Sequence, residues 1–267
     1  MTYLDVPGAR LYYEASGTGP LLLMIGSPMD SSGFAALASV MSADRTVVTY
    51  DPRGIGNSTR EDDDADITPE LQADDVHRLI ESLGGGPVDV FGSSGGATVG
   101  LALVTAHPGD VRTLVAHEPP VTNALPERDD ERGHMQSIYD TYQTDGSMAA
   151  MGAFLSHIGI DPTGAGDGPA WQPTPEQLAR MDATNKVFFG HVIRQTTAFE
   201  PDYEALRAAP TRLVIGVGAT SGGQLAHRTG AAVATELGVE PVVFPGDHGG
   251  FAGHPKEFAK ALAAQLE

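Results

Sequence analysis

The sequence predicts an α/β fold, with a mostly parallel β-sheet flanked by helices. Short apolar runs alternate with helical patterns along the 267 residues, which is typical of strand–helix–strand units. An apolar run at 9–15 predicts an additional, antiparallel strand near the start. The remaining runs predict strands at 21–26, 46–51, 88–92, 113–118, 212–218 and 241–246.

Helical patterns between these runs supply the covering layers. Thr68 and Pro69 mark one helix start, because threonine is a favoured N-cap and proline a favoured first residue. The predicted helices of the sheet region lie at about 33–42, 69–83, 95–106, 222–237 and 255–266.

The region from 121 to 210 departs from this alternation. It carries helical patterns at about 129–157 and 174–197, separated by the Gly- and Pro-rich stretch "DPTGAGDGPAWQP", and no run there predicts a strand. We therefore expect residues 1–120 and 211–267 to form the core domain and residues 121–210 a helical cap over the sheet's carboxyl edge. The glycine-rich middle fits either a mobile segment or a surface loop without a role.

Composition excludes several classes of protein. The chain has no cysteine, which removes disulfides, thiolate metal sites and cysteine nucleophiles. A formal charge of −19 opposes nucleic-acid and anionic-membrane partners. Nine histidines show no metal-ligand spacing such as H-E-x-x-H, so no metal is expected. With no signal peptide or apolar run of about 20 residues, we expect a cytoplasmic protein.

The stretch "GSSGG" at 92–96 carries the first catalytic candidate. The pattern G-x-S-x-G fits one register, with Gly92, Ser94 and Gly96 in the fixed positions, between a predicted strand and a small-residue helix. A sharp strand-to-helix turn strains the central residue, and small neighbours let the turn close. We expect Ser94 to be a nucleophile and the Gly95 N–H to stabilise developing negative charge at the helix start. The alternative is a glycine-rich turn that serves only close packing.

His248 is the predicted base for this serine. It lies in a loop just after the last predicted strand, at the sheet edge where open α/β sheets bind ligands. His254 precedes Pro255 and a predicted helix, which favours a structural role.

Four segments, in this order, resemble the α/β-hydrolase fold superfamily: "MIGSPMDSSGF", "YDPRGIGNS", "FGSSGGATVG" and "PGDHGGF". The resemblance covers the whole chain apart from the variable cap. It implies Ser94 as nucleophile, His248 as general base, and no cofactor. It also implies that the turn at 51–58 is structural, with Arg53 tying loops together.

The oxyanion loop departs from the family's usual His-Gly-X, because Ile25 replaces the histidine. An oxyanion hole is built from backbone N–H groups, so this replacement need not disable it. We expect the Ser27 N–H to pair with the Gly95 N–H and the Ser27 hydroxyl to add a third donor. Met29 is expected to line the substrate pocket.

The triad acid is the second departure from the family. Members commonly carry it after the strand that ends here at 218, where this chain has Thr220 and Ser221. Glu118 ends the predicted strand 113–118, where some members place the acid, and its long side chain helps it reach a histidine. We predict Glu118 as the acid, against a simple strand-end salt bridge. Asp247 is the lesser candidate, because adjacent side chains in a loop point apart.

Two aromatic residues of the predicted cap are further candidates for substrate contacts. Phe189 lies in an apolar helix that either lines a pocket or packs the cap onto the core. Trp171, in the glycine-rich stretch, is either a lid residue or an anchor.

Together these residues predict a cofactor-free serine hydrolase that cleaves an ester, lactone or thioester of a small, apolar molecule. A dehalogenase or epoxide hydrolase of this fold would carry aspartate in place of Ser94. A carbon–carbon bond hydrolase, a cofactor-free perhydrolase and a non-catalytic ligand-binding homologue remain open. The only partner expected is a small acyl substrate, and either a monomer or a homodimer fits the sequence.

Overall fold

The chain forms one β-sheet in the part that the computed structural model describes, residues 2–160 and 173–266. Trp171 and most of the Gly- and Pro-rich stretch lie outside these residues. The strands are β1 (Thr2–Val6), β2 (Ala9–Ser16), β3 (Leu21–Ile25), β4 (Thr46–Tyr50), β5 (Thr59–Arg60), β6 (Val88–Ser93), β7 (Val111–His117), β8 (Arg212–Gly218) and β9 (Val242–Phe244).

The strand order is β1-β2-β4-β3-β6-β7-β8-β9, with β5 paired to β2. β2 pairs antiparallel with β1, β4 and β5. From β4 to β9, every neighbouring pair along this order is parallel. The predicted mostly parallel sheet is therefore confirmed, with an antiparallel edge.

Helices follow the strands as the alternating pattern predicts. The side chain of Thr68 accepts a hydrogen bond from the Leu71 N–H at 3.2 Å, and Pro69 takes the first helical position. The helices are α1 (Ala35–Met41), α2 (Pro69–Ser82), α3 (Gly95–Ala106), α4 (Arg128–Asp145), α5 (Ser147–Ile158), α6 (Pro175–Val187), α7 (Ile193–Thr197), α8 (Tyr203–Ala208), α9 (Leu225–Leu237), α10 (Gly250–Gly253) and α11 (Pro255–Ala263).

Two apolar layers cover opposite faces of the sheet. Val90 of β6 packs with residues of α2, α3, α8 and α9, whereas the next residue, Phe91, packs with residues of α1, α10 and α11. Successive side chains of a strand point to opposite faces, so one short apolar run serves both layers. This two-sided burial explains why the central strands read as continuous apolar runs.

Between β7 and β8, the described residues form helices and turns, as the sequence predicts. The predicted helix at 129–157 is divided at Gly146, whose φ of 87° is unfavourable for other residues. The predicted helix at 174–197 contains a π-helical turn at Phe188–Val192. An apolar cluster that includes Met135, Ile138 and Phe189 holds these helices together. The division into core and cap domains stays a prediction.

The turn at 51–58 connects β4 to β5. Arg53 donates two hydrogen bonds to the Asp75 carboxylate, at 2.7 and 2.6 Å, and a third to the Pro7 carbonyl. Such bidentate pairs fix geometry as well as charge.

Within the described chain, no helix is long and apolar enough to cross a membrane.

The parallel strands end at one edge of the sheet, where this fold class binds ligands. Predicted site residues follow β3, β6, β7 and β9 within four positions of the strand end: Ser27, Ser94, Glu118 and His248.

Candidate active site

Ser94 occupies a strained turn between β6 and α3. Its φ and ψ are 56° and −126°, a conformation that side-chain-bearing residues rarely adopt. A Cβ built on Gly96 would lie 1.9 Å from the Ile25 carbonyl oxygen, and one on Gly92 would lie 2.5 Å from the Gly96 carbonyl oxygen. The close approach of the turn to β3 therefore requires glycine at 96, and the folding of the turn back onto β6 requires glycine at 92.

The two predicted oxyanion donors lie beside this serine. Ser27, Ser94 and Gly95 line the same cavity, and a Cβ on Gly95 would lie 2.5 Å from the Ser27 carbonyl oxygen. Gly95 begins α3, so its N–H is free of the helix's own hydrogen bonds. The Ser27 hydroxyl instead donates to the Gln72 side-chain oxygen at 3.0 Å. In this arrangement it does not supply the third donor that the sequence suggested.

His248 lines the same cavity and is hydrogen-bonded to Glu118. Its Nδ1 lies 2.6 Å from Glu118 Oε2. Because an ionised carboxylate can only accept, the Nδ1 proton points at Glu118 and Nε2 is left as the basic nitrogen. The histidine side chain is 22% exposed and the glutamate side chain fully buried, so the base reaches the cavity while its partner stays in the core.

Three donors surround the Glu118 carboxylate. Besides His248, the Gly218 N–H donates to Oε1 at 2.8 Å, and the Ser221 hydroxyl donates to the same oxygen. Burial raises the pKa of this carboxyl, but the hydrogen bonds and the nearby His117 outweigh burial and lower the pKa to about 2. Glu118 is therefore a buried carboxylate that stays ionised.

Ser221 lies after β8, where the resemblance led us to expect an acid, and its hydroxyl donates to Glu118 instead. Ser221 is fully buried and contacts Glu118, and its hydroxyl lies 3.1 Å from His227 Nδ1. Asp247, the other acid considered, accepts from the Gly249 N–H at 2.9 Å. No hydrogen bond found within 2–160 and 173–266 joins Asp247 to His248.

His117 ends β7 beside Glu118 but belongs to a different environment. Its ring is buried against Phe244 and Phe258, and its Nδ1 lies 3.3 Å from the Ser93 hydroxyl. Burial lowers the pKa of this histidine to about 4. His117 and Ser93 thus form a neutral, buried pair behind the catalytic candidates.

A cavity of about 270 Å³ opens over Ser94 and His248. The inserted helices form most of its wall, and the wall is almost entirely apolar. The apolar lining residues are Pro28, Pro120, Met135, Met151, Phe154, Leu155, Ile158, Ile160, Phe188, Ile193, Leu225 and Ala226.

Two of the predicted substrate contacts, Met29 and Phe189, do not line this wall in the described part of the chain. Met29 packs against the turn at Ser31–Phe34 that precedes α1, where a Cβ on Gly33 would lie 2.1 Å from its sulfur. Phe189 is fully buried against Phe154, while its neighbour Phe188 lines the cavity. Consecutive residues of a helix face different directions, so the sequence pattern could not choose between the two phenylalanines. Trp171 lies outside the described residues.

Helix α5 contributes to the wall, which was not predicted from the sequence. Met151, Phe154, Leu155 and Ile158 line the cavity together. Their spacing of three, four and seven residues is that of one helix face, and it could have indicated the wall.

Comparisons with known proteins agree with this architecture. The sequence profile of the Alpha/beta hydrolase family matches residues 21–261. YraK, an uncharacterized hydrolase of Bacillus subtilis (strain 168), is 30% identical over 269 residues, covering 99% of this chain and 95% of its own. A zearalenone hydrolase of Bionectria ochroleuca is 24% identical over 260 residues, covering 95% of this chain and 92% of its own.

Solved structures show the same fold. A thermophilic esterase from Thermogutta terrifontis superposes with a TM-score of 0.76 at 20% identity, covering 99% of this chain and 96% of that chain. The enol-lactonase from Burkholderia xenovorans LB400 superposes with a TM-score of 0.71 at 19% identity, covering 99% of both chains. The chain belongs to the alpha/beta hydrolase family. The predicted fold and the predicted hydrolase class are therefore confirmed.

Proposed function

We propose that the protein is a serine hydrolase that cleaves an ester, lactone or thioester of an uncharged, apolar molecule. The observation that carries the proposal is that His248, hydrogen-bonded to Glu118, lines the same apolar cavity as the strained Ser94. Nucleophile, base and orienting carboxylate are the parts that acyl transfer through a serine requires.

In the proposed reaction, His248 Nε2 takes the proton of the Ser94 hydroxyl as Oγ attacks the substrate carbonyl carbon. The N–H groups of Ser27 and Gly95 stabilise the oxyanion, and Glu118 stabilises the imidazolium that forms. The imidazolium then protonates the leaving alcohol or thiol. His248 then takes a proton from a water molecule as its oxygen attacks the acyl-enzyme, and the imidazolium returns a proton to Ser94 Oγ as the acid is released.

The cavity supports an uncharged substrate. Apart from His248, no charged or titratable side chain lines it in the described part of the chain, and an unpaired ionic group would be costly to bury there. The esterase and the enol-lactonase found among similar structures carry names that denote cleavage of a carboxylic ester bond. The absence of an acid at 220–221 would favour a binding protein whose triad has decayed, whereas the hydrogen bond between His248 and Glu118 favours a complete triad.

Pre-steady-state hydrolysis of p-nitrophenyl butyrate tests the proposal. We expect a burst of about one p-nitrophenol per protein molecule if deacylation is the slower step. Ser94→Ala should reduce kcat/KM by about 10⁴-fold or more, whereas the matched control Ser93→Ala should retain activity because Ser93 faces His117. Wild-type turnover by Ser94→Ala would contradict the proposal.

A further inference from the structure

Two side-chain oxygen atoms of the cavity wall have no hydrogen-bond partner among the described residues. The Ser27 hydroxyl is bonded to Gln72, and the Thr197 hydroxyl donates to the Ile193 carbonyl at 2.8 Å. By contrast, Thr196 Oγ1 and Gln224 Oε1 are buried and have no partner within the residues that the structure describes. Buried polar groups are normally paired, so unpaired ones in a cavity point to a partner that enters the cavity, either water or a polar group of a ligand.

Thr196 is the clearer case because its neighbour supplies an internal comparison. A threonine in a helix commonly donates its hydroxyl to the carbonyl four residues earlier. Thr197 does so, but Thr196, only 3% exposed, makes no such bond in the described structure. Its hydroxyl is therefore free both to donate and to accept.

The π-helical turn at Phe188–Val192 helps to present this hydroxyl. It inserts one extra residue just before α7, and π turns within helices are frequent at functional sites. Phe188, Ile193 and Thr197 then line the cavity with a spacing of five residues and then four. Because the π turn adds one residue, Phe188 before it and Ile193 after it both face the cavity. Thr196 lies in the same short helix as Ile193 and also lines the cavity.

Gln224 supplies an acceptor from another element. It precedes α9, and its amide nitrogen lies 3.5 Å from the Gly159 carbonyl at the end of α5. That contact spans the two helices and leaves Oε1 unpaired. An amide oxygen needs a donor, which the apolar wall does not provide.

We propose that the substrate is an apolar ester or lactone that bears a hydroxyl group away from the scissile carbonyl, and that Thr196 and Gln224 bind this group. This inference rests on the proposed acyl-transfer function and adds the substrate's polar substituent. A hydroxyl supplies a donor for Gln224 Oε1 and an acceptor for the Thr196 hydroxyl. It carries no charge, as the apolar wall requires.

A matched set of esters tests the inference: methyl 4-phenylbutanoate and its ortho-, meta- and para-hydroxyphenyl analogues. In the wild-type protein, we expect the best hydroxylated ester to exceed the parent in kcat/KM by about 25-fold, the scale of two net hydrogen bonds at about fivefold each. Thr196→Val and Gln224→Met each remove one of these bonds and should each reduce this ratio by about fivefold. Thr197→Val is the matched control and should preserve the ratio, because its hydroxyl is already bonded to Ile193.

Thermal unfolding supplies a second, independent readout. Thr196→Val replaces an unpaired hydroxyl by a methyl group of similar size, so its Tm should be at least that of the wild type. Thr197→Val removes a formed hydrogen bond and should lower Tm. An equal loss of Tm in both variants would show that the Thr196 hydroxyl serves the fold, and would overturn the inference.

The inference and the proposed function fail in different ways. Equal kcat/KM for all four esters in a protein whose turnover needs Ser94 would overturn the hydroxyl preference and leave the acyl-transfer function standing. Turnover that persists in Ser94→Ala would remove the function itself.

Discussion

Replacing Glu118 by glutamine tests the triad without changing side-chain size. The Gly218 N–H donates to Oε1, and a backbone N–H cannot accept. The amide oxygen of the introduced glutamine must therefore stay on that side, which turns its NH₂ group towards His248. His248 Nδ1 would then have to accept, so that its proton moves to Nε2 and faces Ser94. In that tautomer the histidine cannot deprotonate the serine.

The expected loss is correspondingly large. A neutral partner leaves the histidine in the wrong tautomer and removes the charge that stabilises the imidazolium. In serine triads this combination costs about 10⁴-fold in rate, or about 5.4 kcal/mol of transition-state stabilisation. We expect Glu118→Gln to lose activity on this scale in the acylation step.

The assay is single-turnover acylation with p-nitrophenyl butyrate, with circular dichroism to establish that the variant is folded. Asp247→Asn is the matched control, because it removes the acid adjacent to His248 and should keep acylation on the wild-type scale. Glu118→Gln activity within about tenfold of wild type, far from the triad loss of about 10⁴-fold, would refute the assignment of the acid. A loss confined to Asp247→Asn would transfer the role to that residue.

Three further predictions concern the surroundings of the triad. Ser221→Ala removes one donor to Glu118 and should lower acylation by about tenfold, the scale of one hydrogen bond to a charged group, measured in the same assay. Gly96→Ala should prevent folding or lower Tm strongly, whereas Gly133→Ala, in open space within α4, should stabilise by about 0.5–1 kcal/mol in urea unfolding. His117 is held neutral by burial with a pKa of about 4, below its unfolded value near 6.5, so its contribution to stability is complete above about pH 6.5 and declines as pH falls towards 4. His117→Phe should therefore flatten the pH dependence of the unfolding free energy in that range.

Much of the fold could be predicted because strands buried on both faces appear in the sequence as short apolar runs. β3 and β8 are apolar runs bounded by Gly or Pro, and β8 has the predicted bounds. β1 was not predicted, since only Val6 of its five residues is buried and no apolar pattern results. β5, with two residues, is too short to show any period.

The candidate triad could be proposed from sequence because each member follows a strand end, and the parallel order brings those ends together. The substrate wall could not be predicted in the same way. Its lining depends on the helix break at Gly146 and on the π turn at 188–192, which shift residues between buried and cavity-facing positions. Phe188 lines the cavity, whereas Phe189 is buried in the apolar cluster of the inserted helices.

Locating a covalent adduct tests the central claim most directly. The protein is treated with a fluorophosphonate, digested, and sequenced by tandem mass spectrometry, with Ser94→Ala and Ser93→Ala treated in parallel. The proposed mechanism predicts a single adduct on Ser94, retained in Ser93→Ala and absent from Ser94→Ala. An adduct on another residue, or undiminished labelling of Ser94→Ala, would contradict it.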